Sequence, residues 1–411
     1  MVVGVLGSSM ALSAGRAAGR RFLLRRPYHP AAGRARESSV SPAVRITEVE
    51  TVPYALPFRD EYVTARGALA SREMVLLRLR TDEGTEGLGE AVPLTLRGGD
   101  SLERVERAIR RSSRRIGRLD PAGLAGADPL EAAIDAFIHV AAGRRLSGPA
   151  AAALEMAIFD LAGKLSGQPV WRLLRGERAR PVRCNATLTA GEPARVVEAA
   201  RRWAERGFET FKLKLGAGDD VAQVRAVREA VGPRALIRVD ANGAFDAPAA
   251  VSLLRELEPF GVELAEQPCA ALRDLATVAA ESAIPVAADE SVASAKDAER
   301  ARDAGACAYA TAKLSKVGGI GVAGAIAARL PTYLSSALDG PVGIAAAGHA
   351  AQAIYRTTED PRLAHGLATQ ELFATTIASR ECAVRDGYLH LPEGPGLGVE
   401  LDEQALEACR V

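Results

Sequence analysis

The chain has 411 residues, of which 48% are hydrophobic and 25% are charged, and its net charge is +1. This composition is typical of globular proteins with a large core, and the low net charge excludes a global field that would recruit nucleic acid or an anionic membrane. Five widely spaced cysteines without a CxxC pair argue against a disulfide framework or a zinc site. No apolar run has the length of a membrane-spanning helix.

Residues 1–42 differ from the rest of the chain. They contain seven arginines and no acidic residue before Glu37, which resembles an organellar transit peptide. The alternative is an over-extended start or a disordered tail, since arginine and alanine are abundant throughout. We therefore expect a disordered or targeting tail over 1–42. We expect a cytoplasmic location, with an organellar location as the alternative if this tail is a transit peptide.

Residues 43–147 are predicted to form a small α+β domain. The stretches VRITEVETVPYALPF and EMVLLRLRTDEGTEGLGEAVP have strand-like patterning around a DEGTEG turn, which indicates a meander of antiparallel strands. Helical spacing follows over residues 101–145. No strand signal interrupts it.

Residues 148–383 begin with an apolar helix at 149–165 and then alternate short β-rich runs with helical segments. Strict alternation implies parallel strands joined by right-handed crossovers. Seven strands are distinct and an eighth, near LAHGLAT, is weaker. Eight β/α units indicate an α/β fold of the TIM-barrel type. The tail, 384–411, is strand- and turn-like and is expected to return to the N-terminal domain.

Charged residues recur at the carboxyl ends of the predicted barrel strands, where TIM barrels place their catalytic groups. FKLKL puts Lys212 and Lys214 on the same face of the second strand. The next four strand ends carry Asp240 and Asn242, then Glu266, then Asp289 and Glu290, then Lys313 and Lys316. Successive members (214, 240, 266, 289, 313) are one β/α unit apart, so five charged groups are predicted to face one mouth.

Three of these groups are carboxylates on adjacent strands: Asp240, Glu266 and Asp289. Their repulsion is relieved when a cation lies among them, and all-oxygen ligation favours Mg²⁺, with Mn²⁺ as a further fit. The lysines would flank this cation on the second and sixth strands. We expect Lys214 to be the base, with a pKa lowered by the cation and by Lys212, which would also steer an anionic substrate.

Simpler explanations exist for each residue taken alone. A single acidic residue at a strand end is usually a cap or a solvated loop group, and a lone KxK pair usually lies on an edge strand. The recurrence of all five charged groups at matching positions favours a functional site. Asn242 and Glu290 fit equally well as supports of the ligands and as loop polarity. Lys316 is expected in solvent, because it lies three residues beyond Lys313.

The segments KLK, RVDAN, LAEQP, AADES and AKLSKVGGI resemble the enolase superfamily, specifically its muconate-lactonizing-enzyme subgroup, over roughly residues 44–400. The resemblance implies a modified TIM barrel beneath an N-terminal α+β capping domain that the C-terminal tail completes. It also implies Mg²⁺ on the three carboxylates, with Lys214 and Lys313 as acid/base catalysts. FRDEYVTARGALASRE would be a mobile loop that closes over substrate and carries Arg72; the alternative is a plain hairpin turn.

Members of this subgroup begin by removing a proton α to a carboxylate. YLSSALDGPVGIAAA and HGLATQELF resemble o-succinylbenzoate synthases, and HGLATQ stands where dipeptide epimerases carry an Asp-x-Asp. The resemblance therefore implies dehydration of a succinyl-hydroxycyclohexadiene carboxylate in menaquinone or phylloquinone biosynthesis. Ser335 and Ser336 would hydrogen-bond the succinyl end, unless they only pack. Asp339 falls where cycloisomerases carry a glutamate, which leaves that activity open.

The other activities of the subgroup stay open as well, because they share the residues named above. They are N-acylamino acid racemase, dipeptide epimerase and muconate cycloisomerase. A non-catalytic barrel used as a binding protein predicts the loss of at least one of the five charged groups, and none is lost. We expect a small-molecule carboxylate as the partner, no nucleic acid, no membrane, and association into a homo-oligomer.

Overall fold

The computed structural model describes residues 44–64, 67–95, 98–216, 218–354 and 363–411. The tail expected over 1–42 lies outside the described residues. Within the described ranges, no helix is both long and apolar enough to cross a membrane. All five cysteines are free thiols.

The first part of the chain is an antiparallel sheet with helices beside it. Its strands are β1 (Ile46–Thr64), β2 (Gly67–Thr81) and β3 (Glu86–Ala91), in that spatial order. The helices are α1 (Leu102–Arg110), α2 (Ser113–Ile116), α3 (Pro121–Leu124) and α4 (Pro129–Ala141). Strand β2 buries every residue from 74 to 79, because neighbouring strands flank it and helices pack on the sheet.

The segment expected as a closing loop, residues 58–73, is a paired hairpin on both sides of its tip. Strands β1 and β2 pair antiparallel up to Thr64 and Gly67, with a register shift between Pro57 and Tyr62. The tip, 65–66, lies outside the described residues. This pairing fits the hairpin alternative, and closure of the segment over a substrate stays a prediction.

Helix α5 (Gly148–Leu165) packs closely against β3, and most of its residues are buried. Two glycines of β3 make this approach sterically feasible. A Cβ atom at Gly89 would lie 2.0 Å from the carbonyl oxygen of Ala153, and one at Gly87 would lie 2.4 Å from that of Ala157. Any other residue at these positions would push the helix away.

The second part of the chain alternates strands and helices. After α6 (Val170–Leu173) and β4 (Val182–Arg183), the parallel strands are β5 (Ala186–Leu188), β6 (Thr210–Lys214), β7 (Leu236–Asp240), β8 (Val262–Glu266), β9 (Val286–Ala288), β10 (Tyr309–Ala312) and β11 (Thr332–Leu334). The helices between and after them are α7 (Pro193–Glu205), α8 (Asp220–Val231), α9 (Ala247–Leu257), α10 (Leu272–Glu281), α11 (Ala295–Asp303), α12 (Leu314–Val317), α13 (Ile320–Ala327) and α14 (Pro341–Ile354). Two 3₁₀ turns lie at Glu258–Phe260 and Ala368–Leu372.

The seven parallel strands lie in chain order from β5 to β11, and two residues close them into a barrel. His365 forms a parallel bridge with Cys184, and Gly366 forms one with Ser335. The weak eighth strand expected near LAHGLAT is thus reduced to these two residues. Single bridges suffice because they join both edges of the curled sheet, and the predicted α/β barrel fold is confirmed.

The C-terminal tail contacts both parts of the chain. Its elements are β12 (Ala378–Arg380), β13 (Ala383–Arg385), β14 (Tyr388–His390), β15 (Glu400–Leu401) and α15 (Glu403–Ala408). Strand β14 pairs with β4, which directly precedes the first barrel strand. Beyond α15, the carbonyl oxygen of Cys409 accepts the N–H of Ala55 at 2.8 Å, so the tail also extends the β1 edge of the first sheet.

Candidate active site

The register of the parallel strands brings the predicted site residues into one layer. Lys214 pairs with Asp240, and Asp240 pairs with Glu266, on three adjacent strands. Asp289 follows the end of β9 and Lys313 follows the end of β10. All these side chains are buried, because the first sheet and its hairpin cover this mouth of the barrel.

The buried charges are arranged as direct ion pairs. Lys212 Nζ lies 2.6 Å from Glu266 Oε2 and 2.9 Å from Asp240 Oδ2. Lys214 Nζ lies 2.6 Å from the same Asp240 oxygen. On the other side of the mouth, Lys313 Nζ lies 2.5 Å from Asp289 Oδ2. The acidic and basic groups predicted from the strand ends thus meet one another.

These pairs shift the pKa values of the site. Burial alone raises the pKa of Asp240, but Lys212, Lys214 and Lys313 outweigh it and hold this pKa well below its usual range. Burial lowers the pKa of Lys212, but Asp240 and Glu266 raise it to well above the usual range. The neighbouring charges therefore favour the charged forms of Asp240 and Lys212.

The protein groups around Lys214 leave its pKa above the usual value, and the expected lowering, which includes the charge of the bound cation, stays a prediction. Burial lowers this pKa and Lys212 lowers it further, as expected. Asp240 is the main opposing group, and with Tyr62 and Glu266 it leaves the pKa of Lys214 above its usual value. The physical reason is the contact of 2.6 Å between Lys214 Nζ and Asp240, since an adjacent carboxylate stabilises the ammonium form.

The prediction that Lys316 lies in solvent is wrong. The Lys316 side chain is only 9% exposed, and its ammonium lies 2.8 Å from Asp289 Oδ1. It further donates to the carbonyl oxygens of Asp289 and Thr311. The reason is the backbone, because residues 314–317 turn into helix α12 rather than continuing as a strand. In a helix, positions three apart lie on the same side.

The carboxylates fit a hard divalent cation by chemistry. Asp240, Glu266 and Asp289 offer only oxygen ligands, which suit Mg²⁺. Glu266 Oε1 is buried and accepts no hydrogen bond from the described residues, so it is an available ligand atom. Among those same residues, no three His, Cys, Asp or Glu side chains already surround one point as a preformed metal cage. Lysine ammoniums lie between the carboxylates instead.

Asn242 and Glu290 support this layer. The Asn242 N–H donates to Asp240 Oδ1 at 3.0 Å, and its side-chain oxygen accepts from Lys214 Nζ at 3.1 Å. Its amide also donates to Glu290 at 3.2 Å. Asn242 has a positive φ of 48°, a conformation that asparagine tolerates better than most residues. Asn242 thus contacts Asp240 and Lys214 directly, and Glu290 contacts Asn242.

The sequence reasoning missed two further residues in this layer. Gln267 is fully buried, and its side-chain oxygen accepts the N–H of Asp289 at 2.8 Å. Tyr333 donates its hydroxyl to Glu266 Oε2 at 2.5 Å. The signal for Gln267 was its place directly after Glu266 in LAEQP. Tyr333 gave no signal, because a tyrosine inside a strand usually packs in the core.

The layer opens into a pocket of about 720 Å³, including its mouth. The pocket is lined by Tyr62, Arg72, Leu94, Thr187, Lys212, Lys214, Asn242, Lys313, Ser335, Ser336, Ala337, Leu338 and Thr369. Arg72 is buried there and donates to the carbonyl oxygen of Pro93 at 2.7 Å. None of these described lining residues is acidic. Asp339 is not among them: it lies behind Ser336, whose hydroxyl donates to it at 2.9 Å.

Comparison with known proteins identifies two family matches. The family described as enolase C-terminal domain-like matches residues 195–405. The mandelate racemase/muconate lactonizing enzyme N-terminal domain matches residues 46–175. Together the matches span most of the described chain.

Several curated proteins of different activity are similar to this chain. Muconate cycloisomerase 1 of Pseudomonas putida is 32% identical over 89% of this chain and 98% of its own length. The L-Ala-D/L-Glu epimerase of Bacillus subtilis is 29% identical over 87% of this chain and 97% of its own length. The o-succinylbenzoate synthase of Thermobifida fusca is 38% identical, over 55% of this chain and 70% of its own length.

Solved structures similar to this chain also include enzymes of different activity. A muconate lactonizing enzyme from Pseudomonas fluorescens, complexed with muconolactone, matches with a TM-score of 0.80 and 30% identity over 90% of this chain and 100% of its own. A dipeptide epimerase from Enterococcus faecalis, complexed with Mg and L-Leu-L-Tyr, matches with a TM-score of 0.77 and 27% identity over 87% and 99%. The similar structures thus include a Mg complex and complexes with small molecules.

Proposed function

Because the chain belongs to the enolase superfamily, in its mandelate racemase/muconate lactonizing enzyme branch, we propose that it is a Mg²⁺-dependent o-succinylbenzoate synthase. The observation that carries this choice is the pocket, which presents lysines, Arg72 and small hydroxyl groups and no acidic group among its described lining residues. Such a pocket suits a substrate with two carboxylates. The similarity to the Thermobifida fusca synthase supports the choice.

The proposed roles follow from the positions of the side chains. Asp240, Glu266 and Asp289 would hold the cation, and Mn²⁺ fits the same oxygen ligands. When bound, Mg²⁺ supplies the positive charge that the three carboxylates now receive from lysines, and it polarises the substrate carboxylate. Lys214 would then no longer pair with Asp240, and in its neutral form it would accept a proton. Lys212, next to it, favours this neutral form and attracts the anionic substrate.

The reaction is a proton transfer followed by loss of water. Lys214 removes the proton α to the carboxylate, and the electron pair enters an enediolate. Lys313, on the opposite side of the pocket, stabilises that negative charge as a cation. Lys214 then returns the proton to the leaving hydroxyl, so that water departs and the ring becomes aromatic. Arg72, Ser335 and Ser336 would bind the succinyl end.

A racemase of N-acylated amino acids is the second candidate. Lys214 and Lys313 face the pocket from strands on different sides of the mouth, and two opposed lysines suit proton removal and return on opposite faces. A dipeptide epimerase is less favoured, because a free ammonium finds no carboxylate among the described lining residues. A cycloisomerase role for Asp339 is less favoured too, since this side chain lies behind the pocket wall. A non-catalytic binding barrel would have no need of the buried charges.

The test follows the diene absorbance of the succinyl-hydroxycyclohexadiene carboxylate with purified protein and Mg²⁺. We expect Mg²⁺-dependent loss of absorbance that falls by about 10²- to 10⁴-fold in Lys214→Ala. The matched control is Lys296→Ala, an exposed lysine on α11, which should keep full activity. No dehydration, with deuterium exchange at the α-carbon of N-acyl amino acids in heavy water, would replace the synthase by the racemase. If neither the dehydration nor the exchange is observed, both the synthase and the racemase proposals are refuted.

A further inference from the structure

Glu90, the penultimate residue of β3, is a fully buried carboxylate that the proposed chemistry does not use. Its carboxylate reaches from the first sheet to the start of helix α14 in the barrel. Oε1 accepts the N–H of Gly340 at 2.7 Å, and Oε2 accepts the hydroxyl of Tyr54 at 2.8 Å. The N–H of Gly343 also hydrogen-bonds to it. Glu90 thus satisfies backbone donors that the first turn of a helix leaves free.

Two glycines shape the space around this carboxylate. A Cβ atom at Gly340 would lie 2.7 Å from Glu90 Oε2, and one at Gly343 would lie 2.7 Å from Oε1. Both distances are below any real contact of a Cβ atom, so a larger residue at either position would displace the carboxylate. The fit between strand β3 and helix α14 therefore depends on this side chain being in place.

The residues just before α14 form one wall of the pocket. Ser335, Ser336, Ala337 and Leu338, here called the 335–338 wall, all line it. Asp339 holds the wall from behind: its carboxylate accepts the N–H of Ala337 at 2.7 Å and the hydroxyl of Ser336 at 2.9 Å. The 335–338 wall is therefore followed directly by two fixed points. These are the carboxylate of Asp339 and the hydrogen bond from the Gly340 N–H to Glu90.

The electrostatic surroundings allow Glu90 to be held in either protonation state. Burial raises its pKa, Asp339 raises it further, and hydrogen bonds from Tyr54, Gly340 and Gly343 offset part of this, which leaves the pKa at about 8. A neutral side chain of the same shape, glutamine, therefore suits the position near neutral pH. Its oxygen accepts the same N–H groups, and its amide faces the Tyr54 oxygen.

We propose that Glu90 is a positioning residue through which the first sheet holds the 335–338 wall in the shape that admits the substrate. Its carboxylate fixes the first turn of α14, and the turn fixes the wall through Asp339 and Gly340. The first sheet would thus act on substrate binding from behind the pocket, in addition to covering it. The inference rests on the pocket assigned above, but it is independent of which substrate the pocket takes.

Hydrogen–deuterium exchange of the segment 335–343, measured by mass spectrometry on the whole protein, tests this contact without any substrate. In Glu90→Ala we expect exchange there to accelerate by about tenfold or more, since the acceptor of the Gly340 and Gly343 N–H groups is lost. In Glu90→Gln the exchange should stay within about twofold of the wild type, because the acceptor is retained. Gly343→Ala should accelerate exchange like Glu90→Ala, and it serves if Glu90→Ala does not fold.

The matched control is Asp160→Asn. Asp160 is a fully buried carboxylate on α5 that accepts the N–H of Leu88 at 2.7 Å and that of Leu397 at 2.6 Å. Its loss should lower stability without accelerating exchange in 335–343. Unchanged exchange in Glu90→Ala, or in Gly343→Ala where the former is unfolded, would overturn the proposal. Equal acceleration in Asp160→Asn would overturn it as well.

Kinetics with the substrate that the protein turns over give the functional readout. We expect Glu90→Ala to raise KM about tenfold with kcat changed little, since the wall binds the substrate away from the reacting carbon. Glu90→Gln should restore the wild-type KM. A loss confined to kcat would refute a positioning role. If neither proposed substrate class reacts, the exchange result still stands, so a failure of the function proposal is told apart from a failure of this one.

Discussion

Among the proposed metal ligands, Asp289 is held by contacts to both carboxylate oxygens and to its backbone N–H. Its two carboxylate oxygens lie against different ammonium groups, Oδ2 against Lys313 and Oδ1 against Lys316. Gln267 accepts its backbone N–H at 2.8 Å. These contacts fix the orientation of the carboxylate, and loss of a group that supports a metal ligand typically weakens metal binding by about 10- to 100-fold.

Replacing Lys316 by methionine should weaken Mg²⁺ binding. The three N–H groups of Lys316 contact Asp289 twice and Thr311 once, so the variant frees Asp289 Oδ1 and the loop that carries it. We expect a rise in the Mg²⁺ dissociation constant of about 10- to 100-fold, measured by isothermal titration calorimetry without substrate. Lys296→Met, at an exposed position on α11, is the control. An unchanged dissociation constant in folded Lys316→Met would contradict the assignment of Asp289 as a ligand.

The residue types at the site could be predicted from the sequence, and their contacts could not. Spacing of one β/α unit placed Lys214, Asp240 and Lys313 at the same mouth, since parallel strands end together. The position of Lys316 was predicted wrongly because residues 314–317 form a helix and do not continue the strand. The contacts of Tyr333 and Glu90 could not be predicted from local patterns. Tyr333 contacts Glu266, which is 67 residues away in the chain, and Glu90 contacts Gly340, which is 250 residues away.

Among the elements, the barrel strands were predictable because alternating strand and helix patterns repeat. The closing strand was weak because only two of its residues pair. Besides backbone hydrogen bonds, a contact from Arg238 on β7, which is almost completely buried, holds this short segment. Arg238 lies 3.0 Å from Glu263 on β8 and donates to the carbonyl oxygen of Ala364 at 2.7 Å. Its guanidinium also lies over the Tyr333 ring, 5.1 Å from the centroid.

Arg238→Ala should therefore destabilise the barrel at its closure. It removes the partner of Glu263 and the donor to Ala364, and it leaves a cavity beside Tyr333. We expect the free energy of unfolding to fall by about 2–4 kcal/mol, measured from urea midpoints. The control is Arg255→Ala, which breaks an exposed pair with Glu281 and should cost less than about 0.5 kcal/mol. Equal losses in the two variants would show that Arg238 has no special role in closure.

At the scale of the whole molecule, buried neutral histidines tie distant segments together. Burial lowers the pKa of His349 on α14 to about 4. The ring accepts the N–H of Trp171 at 3.0 Å, and Nε2 lies 3.2 Å from the carbonyl oxygen of Leu397 in the tail. Burial, with Arg238 nearby, lowers the pKa of His365 at the barrel closure to about 3. Both rings must stay uncharged for these segments to remain joined.

The pH dependence of stability follows from these shifts. In the unfolded chain a histidine binds a proton near pH 6.5, whereas folded His349 does so only near 4. Between these values the unfolded state binds more protons than the folded state. The contribution of neutral His349 to the free energy of unfolding is therefore fully present above pH 6.5 and is lost as the pH falls towards 4. A shift of this size corresponds to about 3 kcal/mol for His349.

We expect His349→Gln to be less stable than the wild type at pH 7.5 and to lose less further stability on going to pH 4.5, because glutamine does not titrate. Urea midpoints at the two pH values measure both effects, and His139→Gln, on the exposed side of α4, is the control. His139→Gln should follow the wild type at both values. A wild-type midpoint that stays constant between pH 7.5 and 4.5, or a variant that loses as much as the wild type, would show that the buried ring of His349 does not set the acid limit of this fold.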